Sequence, residues 1–220
     1  MYMSRLVVRK ESAFLLAHRN PYLLHQMIWS LFGDNPGRKR DFLYRVVDQV
    51  PRVYFLAVSE RPPNDTESLW HIETRRYDPF IEKGQRYEFS LRANPVRTGR
   101  NRNGRHARFD VVMDAYLRCT KRHRSASSHA AEQKLIREAG LRWLTRRSPK
   151  LGISFRPEDV VVGGYRKHPF TKGSHEVTVA TLDFRGILSV EDPQCLTHAL
   201  YHGIGPAKAF GCGLLLLRLL

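Results

Sequence analysis

Apolar residues open the chain as a short β-prone run, Leu6-Val7-Val8, and the period then changes. Asn20-Pro21 reads as a helix start, Asn as N-cap and Pro at the first helical position, with the helix expected to run through Phe32 and stop at Gly33. On that helix Leu24, Met27, Ile28 and Leu31 form a core stripe, while Tyr22, His25, Gln26 and Trp29 fall on the opposite side. Residues 42–50 and 53–59 read as strands joined tightly at Pro51, which predicts a hairpin. Residues 61–85 are turn-rich and hold little convincing helix, so only a weak element is expected there. Residues 86–93 alternate, with Tyr87, Phe89 and Leu91 on one face, and are expected to close a first unit. Residues 96–107 read as an Arg/Gly/Asn-rich linker or mobile loop. Beyond it a strand is expected at 109–113, a helix at 128–147, strands near 160–167 and 177–188, a short helix near 193–201 and a last apolar segment at 214–220. This order approximates strand, helix, strand, strand, weak element, strand, given twice. The expected fold is therefore α+β, two tandem ferredoxin-like (RRM-like) βαββαβ domains: 1–95, a basic linker 96–107, and 108–220.

Composition supports a buried core, since 42% of the 220 residues are hydrophobic, and it argues against a disordered basic tail. No apolar run reaches the roughly 18–20 residues that span a bilayer, so no membrane partner is expected. The opening residues lack a signal-peptide apolar core, and a cytoplasmic location follows as an expectation. Three cysteines, Cys119, Cys195 and Cys212, are too few and too irregular for a disulfide framework.

Charge changes the picture most. The formal net charge is +16, and it is uneven. From Arg97 to Arg124 nine basic side chains, Arg97, Arg100, Arg102, Arg105, Arg108, Arg118, Lys121, Arg122 and Arg124, meet only Asp110 and Asp114. Clustered arginine attracts polyanions through counterion release, and its planar fork suits phosphate oxygens and guanine edges. Nucleic acid is the expected partner, with a solvated basic loop as the competing reading.

Candidate chemistry lies at two places. Tyr22 and His25 share the first two turns of the first helix, where an imidazole is held toward its neutral form and can exchange protons near neutral pH. An ordinary surface histidine fits the same spacing. The second place is Gly203-Ile204-Gly205-Pro206-Ala207-Lys208-Ala209-Phe210-Gly211-Cys212-Gly213. It is neither a dinucleotide fingerprint nor a P-loop, and it suits close backbone approach to a ligand, with a purely structural turn as the alternative. Two loose sets, Cys195/His198/His202 and Cys119/His123/His129, lack a four-ligand zinc spacing, so no metal or other cofactor is expected.

Taken together, the opening MYMSRLVV, Asn20-Pro21-Tyr22-x-x-His25, Leu91-Arg92-Ala93-Asn94-Pro95 and the terminal glycine motif closely resemble the CasE (Cse3) family, the CRISPR repeat-processing endoribonucleases of the type I-E Cascade complex. The resemblance runs end to end and is loosest in the middle. It implies two tandem ferredoxin-like domains. It also implies metal-free cleavage of precursor CRISPR RNA at the base of the repeat stem-loop, retention of the hairpin of the mature guide RNA, and assembly with other Cascade subunits. Residue by residue, the family's catalytic histidine falls on His25 and its nearby tyrosine on Tyr22. A lysine found in some members falls on Ser30, a departure from the pattern. RNA contacts are expected from Arg92, Arg97, Arg100, Arg102, Arg105 and Arg108, and from Gly203, Gly205, Lys208, Gly211 and Gly213. The competing class is a non-catalytic RNA-hairpin-binding protein with tandem RRM-like domains, although no RNP1-type octamer is present.

Overall fold

The computed structural model describes residues 1–9, 21–33, 37–49, 52–101, 103–122, 128–172 and 175–220. The expected N-cap Asn20 lies outside them, and so does Arg102. The first sheet contains β1 (Tyr2–Val8), β2 (Phe42–Gln49), β3 (Arg52–Ser59) and β4 (Trp70–Arg76) in the order β2-β3-β1-β4, each neighbour antiparallel. Helix α1 (Pro21–Ser30) begins at Pro21 and ends two residues short of Phe32, its expected last residue. Its last turn tightens instead, with Leu31 N bonding Ile28 O and Phe32 N bonding Trp29 O. The apolar stripe Leu24, Ile28 and Leu31 is buried, with Phe32, against Leu6, Phe42, Tyr44, Phe55, Ala57 and Trp70 of the sheet.

The first unit is closed differently from the expectation. Strand β4, unforeseen, supplies its outer strand. Only Trp70 is buried and most of the strand is exposed, so β4 is a charged edge strand with too few apolar positions to advertise itself. A turn replaces the second helix: the Asp65 carboxylate accepts from Leu69 N (3.2 Å) and Trp70 N (2.7 Å), and Arg61 Nε pairs with Asp41 at 2.7 Å.

Strand β5 (Arg86–Ala93), expected to close that first unit, pairs instead with the second sheet. There β11 (Leu215–Leu219), β5, and β10 (His175–Val190) lie side by side, and both β9 (Val160–Lys172) and the short β8 (Ile153–Ser154) pair with β10. The alternation of β5 is the reason: Tyr87, Phe89, Leu91 and Ala93 all sink into the second core, alongside Leu182, Phe184 and Leu188 of β10. With β5 as first strand, the second sheet repeats the order of the first, β11-β5-β10-β9, and the two ferredoxin-like units become explicit.

The stretch read as a linker is a hairpin, β6 (Val96–Arg100) with β7 (His106–Asp110). Its turn is held by the Asn101 side chain, which accepts from Asn103 N and Arg105 N. The strand expected at 109–113 gives way after Asp110 to helix α2 (Val111–Arg122), because the Asp110 carboxylate accepts from Val112 N (2.8 Å) and Met113 N (3.3 Å) and starts a helix despite the two valines. Helix α3 (His129–Thr145) begins as expected, with Ser128 as its N-cap. The short α4 (Ser148–Leu151) and α5 (Pro193–His202) complete the helices among the described residues.

The two units meet where Leu43 and Val58, on the sheet face turned away from α1, pack on Leu214. Gly140 lets α3 lie close on the second sheet: a Cβ there would stand 2.5 Å from Val162 Cγ1 and 2.8 Å from Leu182 Cδ2. Gly140→Val is expected to overpack this contact, costing about 2 kcal/mol and lowering the melting temperature by roughly 5 °C. A thermal melt followed by circular dichroism checks this; an unchanged or higher midpoint contradicts the packing.

Candidate active site

Successive turns of α1 place Tyr22, His25, Gln26, Trp29 and Ser30 along one wall of an open cleft of about 550 Å³, and Ala209 and Phe210 form the other. His25 sits half-buried between two aromatic rings. Trp29 stands edge-on at 5.5 Å between ring centroids, and Phe210 is tilted at 6.1 Å. Phe210 is itself backed by Phe170 of β9 at 4.8 Å. Rings on both sides limit how the imidazole turns, while its open side faces the cleft. The Ser30 hydroxyl donates to Met27 O at 3.0 Å, leaving this cleft wall without the cation that a lysine would bring to that position.

The opposite wall is built by the glycine motif. All four of its glycines adopt positive φ: Gly203 (74°), Gly205 (78°), Gly211 (75°) and Gly213 (92°). Close approach also matters at Gly213, where a Cβ would lie 2.8 Å from Ile204 O. The loop is pinned at its base by Ile204 N to Gly213 O (2.9 Å) and by Gly213 N to Arg92 O (2.7 Å). Its tip is held from the other unit: the Tyr44 hydroxyl on β2 donates to Ala209 O at 2.8 Å. Tyr44 is fully buried, and burial pushes its phenol pKa up, so this hydroxyl stays a neutral donor.

The remaining expected residues separate by what they already bind. Arg92 forms a bidentate pair with Asp183 (2.8 and 2.9 Å), and Arg97 does so with Asp114 (2.8 and 2.7 Å). The Lys208 amine donates to His202 O at the C-terminus of α5, and its pKa is lowered by burial and then by Arg40. Arg100, Arg105 and Arg108 are exposed on the β6–β7 hairpin. Register puts Arg100 opposite His106 and Arg108 opposite Thr98, all on the outer hairpin face, while Arg97 and Phe109 face inward. His198 and His202 stack on each other with centroids 4.1 Å apart. His123 lies outside the described residues, among which no three His, Cys, Asp or Glu side chains are grouped to hold a metal.

Three residues near the cleft escaped the sequence reading: Phe210, Tyr44 and Arg40. Phe210 lies inside the glycine motif but carries no chemistry of its own. Arg40 ends the run Arg38-Lys39-Arg40 just ahead of β2, and burial lowers its pKa. That run was the available signal.

A family model described as "CRISPR associated protein" matches residues 1–218. The chain is 31% identical over 218 residues to the CRISPR system Cascade subunit CasE of Escherichia coli K12, covering 98% of each. It is 29% identical over 144 residues to the CRISPR-associated endoribonuclease Cse3 of Thermus thermophilus, covering 63% of this chain and 58% of that protein. Among solved structures, the CRISPR-associated protein Cas6e of E. coli K-12 superposes with a TM-score of 0.67 at 26% identity over all of both chains. Thermus thermophilus Cse3 bound to an RNA representing a pre-cleavage complex superposes at 0.70 with 22% identity, over 99% of this chain and 98% of that one, a likeness of fold. Among the described residues no helix is long and apolar enough to cross a membrane.

Tyr44→Phe keeps the ring and removes the hydroxyl, leaving Ala209 O without this donor. The expected loss is about 1 kcal/mol of stability, together with faster amide hydrogen exchange across 204–213. Unchanged exchange in that loop contradicts the assigned tie.

Proposed function

The chain belongs to the CRISPR-associated protein family of CasE and Cse3, and from that premise we propose that it is the endoribonuclease that cuts precursor CRISPR RNA and then stays with the guide as a Cascade subunit in the cytoplasm. The observation that carries this reading is the cleft in which α1 presents His25 and Tyr22 opposite Ala209 and Phe210.

The chemistry follows from the groups available. The 2′-oxygen beside the scissile bond attacks phosphorus, the P–O5′ bond breaks, and the products end in a 2′,3′-cyclic phosphate and a 5′-hydroxyl. The 2′-OH proton must leave and the departing 5′-oxygen must gain one. His25 serves one of these transfers as general acid or base, and Tyr22, one turn earlier, orients the reacting group or shares the proton. The phosphorane needs positive charge nearby. With serine at position 30, this role is assigned to Lys208 of the glycine loop and to Arg40, which after burial lowers the Lys208 pKa. No metal takes part in the proposed step.

The exposed outer face of the β6–β7 hairpin, with Arg100 and Arg108, and Arg105 at its turn, supplies the grip on the stem. A-form RNA keeps its deep groove narrow, so hairpin shape and phosphate positions carry much of the recognition.

Two outcomes are expected. His25→Ala slows single-turnover cleavage of a labelled repeat hairpin by about 100-fold or more, with affinity kept within about threefold, and wild-type cutting proceeds in EDTA to cyclic-phosphate ends. Cleavage abolished by the chelator, or undiminished in the variant, refutes the mechanism, while tight binding without scission by the wild type favours a non-catalytic hairpin-binding protein. Separately, Arg100→Gln with Arg105→Gln and Arg108→Gln should flatten the salt dependence of hairpin binding by about one logarithmic unit per lost phosphate contact. A wild-type slope in that variant moves the groove elsewhere.

A further inference from the structure

Behind the hairpin, on the side away from Arg100 and Arg108, lies a second cationic feature that the cleavage mechanism does not use. A pocket of about 220 Å³ between the root of β6 and helices α2 and α3 is lined by Arg97, Arg118, Arg142, Arg146 and Arg147, with the Asp114 carboxylate in its wall. We propose that this arginine pocket is a second RNA backbone site, which takes phosphates of the repeat stem beyond those held by the outer hairpin face. The inference rests on the RNA-processing function proposed above.

The geometry is built rather than incidental. Asp114 accepts both forks of Arg97 and also Arg118 Nη2 at 2.9 Å, so a single carboxylate fixes two guanidinium groups side by side. Arg97 is further held over the Phe109 ring at 4.7 Å. Arg147 lies 4.0 Å over Trp143 and donates to Trp143 O (3.1 Å) and Val96 O (3.2 Å). Arginines immobilised in this way lose little side-chain entropy when they bind. Arg142 on α3 and Arg146 at its C-cap, one turn apart, are exposed at the mouth; Glu138 meets Arg142 at 3.5 Å, and the pocket still keeps a clear positive excess.

Like charges held this close are under electrostatic strain. Burial and then the neighbouring Arg146 lower the pKa of Arg147, and the repulsion is relieved when an anion enters. Phosphodiester is the favoured anion on three counts. The lining cations are all arginine, whose fork matches phosphate oxygens. The pocket shares Val96 and Arg97 with the hairpin, so it lies at the root of the same element whose outer face carries Arg100 and Arg108. Finally, duplex RNA offers the regular row of phosphates that such a spaced set can meet at several points.

The test uses the full chain carrying His25→Ala, so that the RNA stays intact. Arg142→Gln with Arg146→Gln is titrated against the repeat hairpin, and against an unstructured RNA of equal length, over a salt series. The expected result is a hairpin salt slope shallower by about two units and at least about tenfold weaker binding at low salt. Arg142→Lys with Arg146→Lys should return most of the slope, which separates charge from misfolding. A wild-type slope in the Gln pair overturns the pocket assignment and leaves the cleavage reading standing. If the His25→Ala parent itself shows no preference for the hairpin, the RNA-processing reading fails instead.

Discussion

The hydrogen bond from Tyr44 to Ala209 O joins the two halves of the molecule at the point where they make a cleft. Tyr44 belongs to the core under α1, and Ala209 sits at the tip of a loop that belongs to the second unit. A buried phenol must find a partner, because leaving its hydroxyl unpaired costs on the order of 1–3 kcal/mol. The loop tip, a tight turn in which Phe210 N bonds Ala207 O, needs an anchor to the first unit too. Each requirement satisfies the other. The consequence for His25 is direct: Phe210, the next residue, becomes the wall that faces the imidazole. The helix that carries His25 and the loop that encloses it come from different units, so the cleft depends on their docking rather than on either alone.

That dependence explains what was legible in the sequence and what was not. The helix carrying His25 could be read because Pro21 and a four-residue apolar stripe are local signals. The tandem order could be read for the same reason, element by element. The partner of residues 86–93 could not. Alternation says that a strand has one buried face, and it does not say which sheet buries it; β5 went to the second core, and the weakly patterned β4 took its place in the first. The hairpin at 96–110 was hidden in another way. Arg, Gly and Asn suit both a mobile linker and a tight turn, and the distinction rests on Asn101 accepting two backbone amides in space. At 109–113 two valines suggested a strand, whereas the Asp110 carboxylate decides for a helix. Phe210 and Tyr44 were invisible as functional residues because their roles exist only across the interface.

The excess of positive charge also divides on inspection of partners. Sequence treats each arginine between 92 and 108 as equivalent. In the fold, Arg92 and Arg97 are locked to carboxylates by paired hydrogen bonds, while Arg100, Arg105 and Arg108 stand exposed. A locked guanidinium keeps part of its field and all of its position. An exposed one keeps its field and loses an ordering entropy of about 1–2 kcal/mol when it binds. Under the RNA-binding role proposed above, the arginines of the outer hairpin face would attract a polyanion from any approach, and those fixed by Asp114 and Asp183 would define where a backbone settles.

The serine at position 30 bears on the same division within the cleft. A lysine there would project from the helix that carries His25, so imidazole and cation would share one rigid element. Here two described cations with lowered pKa, Arg40 and Lys208, come from the approach to β2 and from the glycine loop. Lys208 is already tied to the carbonyl end of α5, which favours a cation through the helix dipole and limits its reach. Burial and then Arg40 lower the pKa of Lys208, so this ammonium holds its proton less firmly than a free lysine does. Field strength falls with distance and solvent exposure, whereas a direct contact depends on ångström placement. Under the function proposed above, a cation that acts through its field would lose less to small motions of the loop, and the cleft would rely on Tyr44 and the ring of Phe210 to keep its walls at their separation.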